Sequence, residues 1–554
     1  MMKHSVILEY KRCRGCTTCI KNCPTEAIRV RSGKAKILNE RCIDCGKCIQ
    51  VCPHKAIRSV SDNLSALDPF QYRVALPDPA LYGQFQHLDD IDIVLNGLLK
   101  IGFQAVYETA KAAEILSDYA RQHISSGEKR VMPQISSACP TILRLIRMRF
   151  PKLIPNVTST ITPMELAAIL ARKEAAARTG LPPEQIGVFG IVPCSSQVTA
   201  AHHPETLAKP VLDGAFAIRD IYLRLLGPMK ELQELESLSS AGIMGVGWAY
   251  CGGESAARLG ESYLAVDGIG NCIRMLEEIE DGRLPEADFI ELSACVQGCV
   301  GGCLTVENPY GARMRIKNLM KGLPVSRNRF NLKGEDRDLV CFDKELQYVP
   351  AFLLDKDRSL AMEKLMKIDE LYRALPGLDC GSCGAPSCHA LAEDVVLGRA
   401  SMEDCIFKVR ERMQYMAGTG DADEYLPAPF RKRKLPQSIP PKKPHTRRKN
   451  QREVPRFECK RAGPCDGLDR IYHARARPGG ERGLCGRPSV LGDGQGPGGQ
   501  RLAHYHVQSE RGRRGADGRG VLRNSHRRSG SRRGPAPAGP AAGHQPDGHR
   551  AVHL

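Results

Sequence analysis

Two stretches of the chain repeat one cysteine spacing, and that repeat constrains the fold more than anything else in the sequence. "CRGCTTCIKNCPTEAI" (13–28) and "CIDCGKCIQVCPHKAI" (42–57) both read C-x2-C-x2-C-x3-C-P, followed by a short helix ending in Ala-Ile. Between them, "IRVRSGKAKIL" reads as a hairpin turning at Ser32-Gly33. In such a run three thiolates wrap one iron–sulfur cubane, while the fourth, before the proline, crosses to the other cluster. Cys13, Cys16, Cys19 and Cys52 are therefore the expected ligands of one [4Fe-4S] cluster, and Cys42, Cys45, Cys48 and Cys23 of a second. A zinc module is the alternative, but zinc sites do not duplicate this four-cysteine spacing.

Cysteine use along the rest of the chain extends the point. Of 23 cysteines, 20 lie before residue 410, most in clusters. The start of the chain has no apolar h-region or cleavage site, and no segment has the 18 apolar residues of a membrane span. Clustered thiols in such a chain point to metal ligation in reducing, oxygen-poor surroundings, with the cytoplasm as the expected compartment and no membrane partner.

Residues 1–60 thus form the first domain, and 58 to about 75 read as a linker. From 76 to 360 helical and strand patterns alternate. "TAKAAEILSDYARQHI" and "TPMELAAILARKEAAA" have helical periodicity, whereas "QIGVFGIV", "GIMGVGWA" and "ADFIELSA" are apolar runs of strand length. That alternation predicts parallel strands buried on both faces. Three apolar runs end in cysteine: "VMPQISSACP" at Cys139, "IGVFGIVPC" at Cys194 and "ADFIELSACVQGC" at Cys295 and Cys299. The carboxyl ends of parallel strands line one crevice, so these four thiols are expected to meet there. Pro140 suits the first turn of a following helix, and Gly298, Gly301 and Gly302 allow close backbone approach. Two readings stand side by side: a buried cubane site, or four ordinary core cysteines.

The three segments resemble the signature motifs of the [FeFe]-hydrogenase catalytic domain, TSCCP, MPC-x-x-K-x-x-E and E-x-M-A-C-x-G-G-C-x-G-G-G. They stand here as "SSACP", "VPCSSQVTA" and "ELSACVQGCVGGC". "NGLLKIGFQAVYETAKAAEI" and "GVGWAYCGGESAARL" are also similar to stretches of that domain. The N-terminal repeat, for its part, resembles bacterial two-cluster ferredoxins. By this resemblance Cys139, Cys194, Cys295 and Cys299 hold a [4Fe-4S] cubane, with Cys299 bridging to a diiron subcluster where one is present. Several positions depart from the pattern. The proton-relaying thiol is Ala138, and the lysine that anchors the diiron unit is Gln197. Val192 replaces the methionine, Ala200 or a neighbour the glutamate, and Cys303 the last glycine. Cys303 either ligates an iron left open or sits beside the site. Cys251, Cys272 and Cys341 have no partner spacing and read as core or bystander residues.

A further helix, "AMEKLMKIDELYRAL", leads into a domain at 362–412 holding "CGSCGAPSC" and Cys405, a C-x2-C-x4-C-x16-C arrangement. This resembles the small four-cysteine domain of electron-transfer complexes and corrinoid proteins. Cys380, Cys383, Cys388 and Cys405 are the expected ligands of a further [4Fe-4S] cluster, with zinc the alternative; His389 reads as a surface residue. Residues 425–554 are basic and of low complexity. From Arg431 onward 29 Lys+Arg face 9 Asp+Glu, which leaves the first 430 residues at a formal charge of −2. The stretch reads as a disordered extension or as the out-of-frame text of a GC-rich gene, and no nucleic-acid role is expected of it.

The expected architecture is an α/β hydrogenase-like domain of parallel sheets with flanking helices, preceded by an α+β two-cluster ferredoxin module and followed by a small Fe-S domain. The expected function is iron–sulfur electron transfer, with redox or H2 sensing and little hydrogen turnover. The alternatives are an active [FeFe]-hydrogenase and a protein that only transfers electrons between cubanes. The expected partner is a ferredoxin or a redox enzyme subunit, and the sequence leaves the oligomeric state open.

Overall fold

The computed structural model describes residues 4–125, 130–259, 262–284, 286–330, 338–351 and 353–417. The basic stretch from 425 lies outside the described residues.

The strands, in chain order, are β1 (Val6–Leu8), β2 (Ile28–Arg31), β3 (Lys34–Ile37), β4 (Ile57–Ser59), β5 (Tyr72–Pro77) and β6 (Ala105–Val106). They continue with β7 (Gln134–Ile135), β8 (Ile186–Val192), β9 (Gly214–Ala217), β10 (Tyr263–Asp267) and β11 (Phe289–Ser293). In the N-terminal module β1 pairs antiparallel with β4, and β2 with β3. Ser32 and Gly33 close the β2–β3 hairpin with φ of 51° and 70°, the left-handed pair that a tight two-residue turn requires. The short helix expected after each Cys-Pro is absent; the helix of each repeat stands earlier, inside the cysteine run, at Thr18–Lys21 and Lys47–Val51. The Ala-Ile pair opens the next strand instead of ending the helix. The N–H groups of Ala27 and Ala56 donate to Cys23 and Cys52 Sγ, both at 3.2 Å, and the isoleucines begin β2 and β4.

The middle domain holds two parallel sheets, ordered β6-β5-β8-β9 and β10-β11-β7. Every residue of β8 is buried. Its Phe189 and Ile191 face one apolar core with Phe216, and Val188 and Val192 face a second with Leu76, as burial on both faces demands. The smaller sheet packs against the helices Pro140–Arg149 and Ile269–Glu280 through Ile142, Leu276 and Leu292. The two expected helices are present as Thr109–Ser125 and Pro163–Thr179, the second with a capping box between Thr162 and Glu165.

Two further expectations need correction. "GIMGVGWA" is not a strand: Ile243–Val246 is one helical turn, continued by the 3-10 turn Gly247–Ala249. Its glycines serve close packing, since a Cβ on Gly245 would overlap the carbonyl of Ala110 in the neighbouring helix. The 58–75 stretch is not a plain linker. It carries the end of β4, a 3-10 turn at Leu64–Leu67 and the start of β5. Among the described residues no helix is long and apolar enough to cross a membrane.

Candidate cluster sites and the central cavity

The thiols meet in four separate places. Cys13, Cys16, Cys19 and Cys52 line one small cavity, and Cys23, Cys42, Cys45 and Cys48 line another. Cys380, Cys383, Cys388 and Cys405 line a third. His389 is exposed and set edge-on to Tyr372, away from that cavity. Each of these three sets presents four thiols to its own space, a donor set that suits an iron–sulfur cluster.

The fourth set is built from two sheets rather than from the ends of one. Cys194 follows β8 in the larger sheet, and Cys295 follows β11 in the smaller one. Cys139 follows the two-residue β7 after a short extension. Cys139 is the N-cap of Pro140–Arg149, with Pro140 in the first turn, and Cys194 is the N-cap of Ser195–His202. Two helix N-termini thus point at the site, where their dipoles favour thiolate charge. All four thiols line one cavity of about 110 Å³. Burial first, and the neighbouring thiols second, push Cys194 and Cys295 well above the ordinary thiol range; for Cys299 burial is followed by the Asp78 charge. Buried thiols held up in this way become stable thiolates only around a cationic centre, and with Cys139 lining the same cavity the donor set fits a cubane.

The third motif turns sharply through Gly298, at φ 82°, and a Cβ on Gly302 would overlap the Pro193 carbonyl. The glycines bring the Cys194 and Cys299 loops into backbone contact. The cavity wall beside Cys139 and Cys299 carries the departures. Ala138 presents a methyl group, and its N–H donates to Ser136 Oγ at 3.1 Å. Gln197 donates from Nε2 to Asp78 Oδ2 at 3.3 Å and lies 4.0 Å from Cys299 Sγ. Its Oε1 is buried without a hydrogen-bond partner. The space beside Cys299, rimmed by this amide, has a donor for a small inorganic group, but the amide brings no positive charge to balance one.

Sequence reasoning did not single out the carboxylates around the cavity. Asp78 is pushed up to about 6 by burial, against hydrogen bonds from the Ala80 N–H and from Gln197. Glu254 accepts from Ser136 Oγ at 2.5 Å. Glu291, raised by burial, accepts from the Gly252 and Ser255 N–H groups. Glu254 and Glu291 stand in segments already quoted, "GGES" and "ELSAC", yet an acidic residue beside a glycine or cysteine run gives no sign of burial.

Cys303 does not line the central cavity. Its Sγ lies 3.4 Å from Ser195 Oγ and packs where a Cβ on Gly46 would overlap it. It therefore sits at the seam between the second cysteine repeat and the middle domain. The same seam holds Asp44, whose carboxylate accepts from Arg144 and faces His4, both at 2.7 Å. Cys251 and Cys272 are buried core residues, and Cys341 lies 3.4 Å from the Tyr119 hydroxyl.

Three known family models match stretches of the chain. Residues 71–225 and 251–303 match the family model of the iron only hydrogenase large subunit, C-terminal domain. Residues 5–53 match the 4Fe-4S dicluster domain, and 375–407 match the FeS domain model. The periplasmic [Fe] hydrogenase large subunit of Nitratidesulfovibrio vulgaris is 25% identical over 366 residues, 54% of this chain and 86% of that protein. The nuclear prelamin A recognition factor of Mus musculus is 24% identical over 290 residues, 42% of this chain and 63% of that protein. Among solved structures, a variant of apo [FeFe]-hydrogenase from Chlamydomonas reinhardtii aligns at 15% identity with a TM-score of 0.40, covering 52% of this chain and 98% of that one.

Proposed function

We propose, for a chain whose residues 71–225 and 251–303 belong to the family of iron only hydrogenase C-terminal domains, a redox or hydrogen sensor with little hydrogen turnover. In this reading the four cysteine sets hold four [4Fe-4S] clusters, and the N-terminal pair wires the middle site to a one-electron partner such as a ferredoxin or a redox enzyme. The cytoplasm is the proposed compartment.

One observation carries the reading: the cavity wall at Cys139 and Cys299 presents the Ala138 methyl and the neutral Gln197 amide. A proton relay needs a titratable group within hydrogen-bond reach, and alanine offers none. An amide still donates a hydrogen bond but brings no compensating charge. Cys299 would hold a diiron unit, which supplies the hydrogen-activating chemistry when bound. Around it the chain's own residues orient and enclose: Asp78 fixes the Gln197 amide toward Cys299, and Ser136 holds the Ala138 backbone.

A working hydrogenase is the second reading, and Glu254 favours it. The Ser136–Glu254 pair lines the same cavity beside Ala138 and presents a hydroxyl and a carboxylate. Infrared spectra of anaerobically matured protein separate the readings. Metal-bound CO and CN bands with slow turnover from a reduced dye support the sensor. Bands with turnover at the rate of a working hydrogenase replace it with the enzyme. No bands at all remove hydrogen sensing and hydrogen turnover alike and leave a protein that works through its cubanes alone.

A further inference from the structure

The small C-terminal module is joined to the N-terminal module by a buried ionic cluster that neither cysteine motif requires. Arg29 Nε and an Arg31 amino group both reach Asp394 Oδ2 at 2.7 Å, and Arg41 pairs with Glu393. Arg29, Arg41, Glu393 and Asp394 are each at most 8% exposed at the side chain. Three guanidiniums against two carboxylates leave one positive charge over in the cluster. Backbone contacts tighten the joint. The Val30 N–H donates to the Gly384 carbonyl at 2.7 Å, and Arg31 donates to the Cys383 carbonyl at 3.0 Å. Gly384 has φ 78°, and a Cβ there would overlap the Val30 carbonyl, so the approach needs glycine.

The docked strand leads to both N-terminal thiol sets. Ala27, just before β2, donates its N–H to Cys23 Sγ at 3.2 Å. Ala35, which pairs with Val30 across the hairpin, donates to Cys13 Sγ at 3.3 Å. From Cys383 one hydrogen bond reaches β2, and from the β2–β3 hairpin single N–H contacts reach a thiol of each set. Cys380 is exposed to solvent.

We infer that the Cys380–Cys405 module is an electron port of the N-terminal module, clamped there by Arg29, Arg31, Arg41, Glu393 and Asp394, and communicates with the middle domain through the N-terminal cluster pair. This rests on the reading of the cysteine sets as cluster sites given above. A one-electron donor such as a reduced viologen is oxidised by one electron at the Cys380 face. One N-terminal cluster is then reduced by one electron, and no bond or proton changes hands.

The test uses the full chain, reconstituted anaerobically with iron and sulfide and followed by electron paramagnetic resonance after dithionite reduction. A Cys388→Ala variant identifies the signal of the third cluster by its loss. In the wild type that signal is broadened by the neighbouring N-terminal spins. The broadening survives Cys295→Ala, which empties the middle cubane. It is lost in Glu393→Gln/Asp394→Asn, in which the iron content is unchanged. An unbroadened signal in the wild type, broadening that disappears with Cys295→Ala, or a third set that binds zinc in place of iron overturns the inference. Should the clamp variant lose iron, the comparison of wild type with Cys295→Ala still decides. Infrared bands play no part, so failure of the sensor reading leaves the outcome here unaffected.

Discussion

Gln197 gives its amide N–H to Asp78 across 3.3 Å and leaves its own carbonyl oxygen buried without a partner. The arrangement is half satisfied, and an orphaned buried acceptor costs about 1–3 kcal/mol. A lysine at 197 removes the orphan and sets an ammonium against Asp78. Burial holds that carboxyl up at about 6 in the folded protein. An opposite charge within hydrogen-bond distance favours the ionised form and lowers the value again. The protonated-carboxyl infrared band of Asp78 should titrate near pH 6 in the wild type and at distinctly lower pH in Gln197→Lys. A band that does not move would mean that the lysine does not reach Asp78.

Restoring the relay tests the functional reading more directly. The Ala138 methyl lines the cavity beside Cys139, and its Ser136-anchored backbone already fixes where a side chain at 138 starts. A positioned proton-transfer group is worth about 10²–10⁴-fold in rate. The double variant Ala138→Cys/Gln197→Lys, matured anaerobically, should evolve hydrogen from a reduced dye at least about 10²-fold faster than the parent. Equal rates, with CO and CN bands present in both, would show that the relay and the charge are not what limits turnover.

Cys303 should behave as a packing residue. Its Sγ rests against Ser195 and the Gly46 backbone at the seam, outside the central cavity. Cys303→Ala should keep the iron content, about sixteen per chain for four cubanes, and lower stability by about 1 kcal/mol through one weak hydrogen bond and a small void. Cys295→Ala, by contrast, should lose about four irons. Iron analysis of the two variants side by side checks the contrast.

Spacing made the thiol sets legible, because a cubane needs several thiolates from one short loop and the repeat wrote that need twice. Burial on both faces made β8 legible, since an unbroken apolar run has few other uses. The division into two sheets was not legible. β7 pairs over only two residues, and Cys139 reaches the site by an extension that no periodicity marks. "GIMGVGWA" misled for a related reason. Its apolar content suits a strand, but Gly245 is there so that a helical turn can press on the helix carrying Ala110. One signal was present and passed over. The two repeats differ at Gly15 and Asp44, both at positive φ. An aspartate in a position that favours glycine needs compensation, and here it comes from Arg144, His4 and the seam with the middle domain. The departure from the repeat marks the half of the module that docks.

A pH-dependent contribution to stability lies at another joint, where Asp62 meets His202 on the helix after Cys194. His202 Nε2 and Asp62 Oδ2 are 2.8 Å apart, and the Ala215 N–H donates to the same oxygen at 2.7 Å. The hydrogen bond to Asp62 raises His202 above its ordinary 6.5, against partial burial. For Asp62 burial alone would act upward, but the hydrogen bonds from His202 and Ala215 outweigh it and hold the carboxyl below 3.8. A raised histidine contributes stability that is complete below about pH 6.5 and is lost as pH climbs through its folded value. A lowered aspartate contributes above about pH 3.8 and loses that contribution as pH falls through its folded value. The pair therefore stabilises most between about pH 4 and 6.5. Both side chains are about one-third exposed, so solvent screening keeps the effect under about 1 kcal/mol. His202→Gln should lower the midpoint of anaerobic thermal unfolding at about pH 5.5 and leave it nearly unchanged at about pH 9. A deficit of equal size at both pH values would assign the contact to packing rather than to charge.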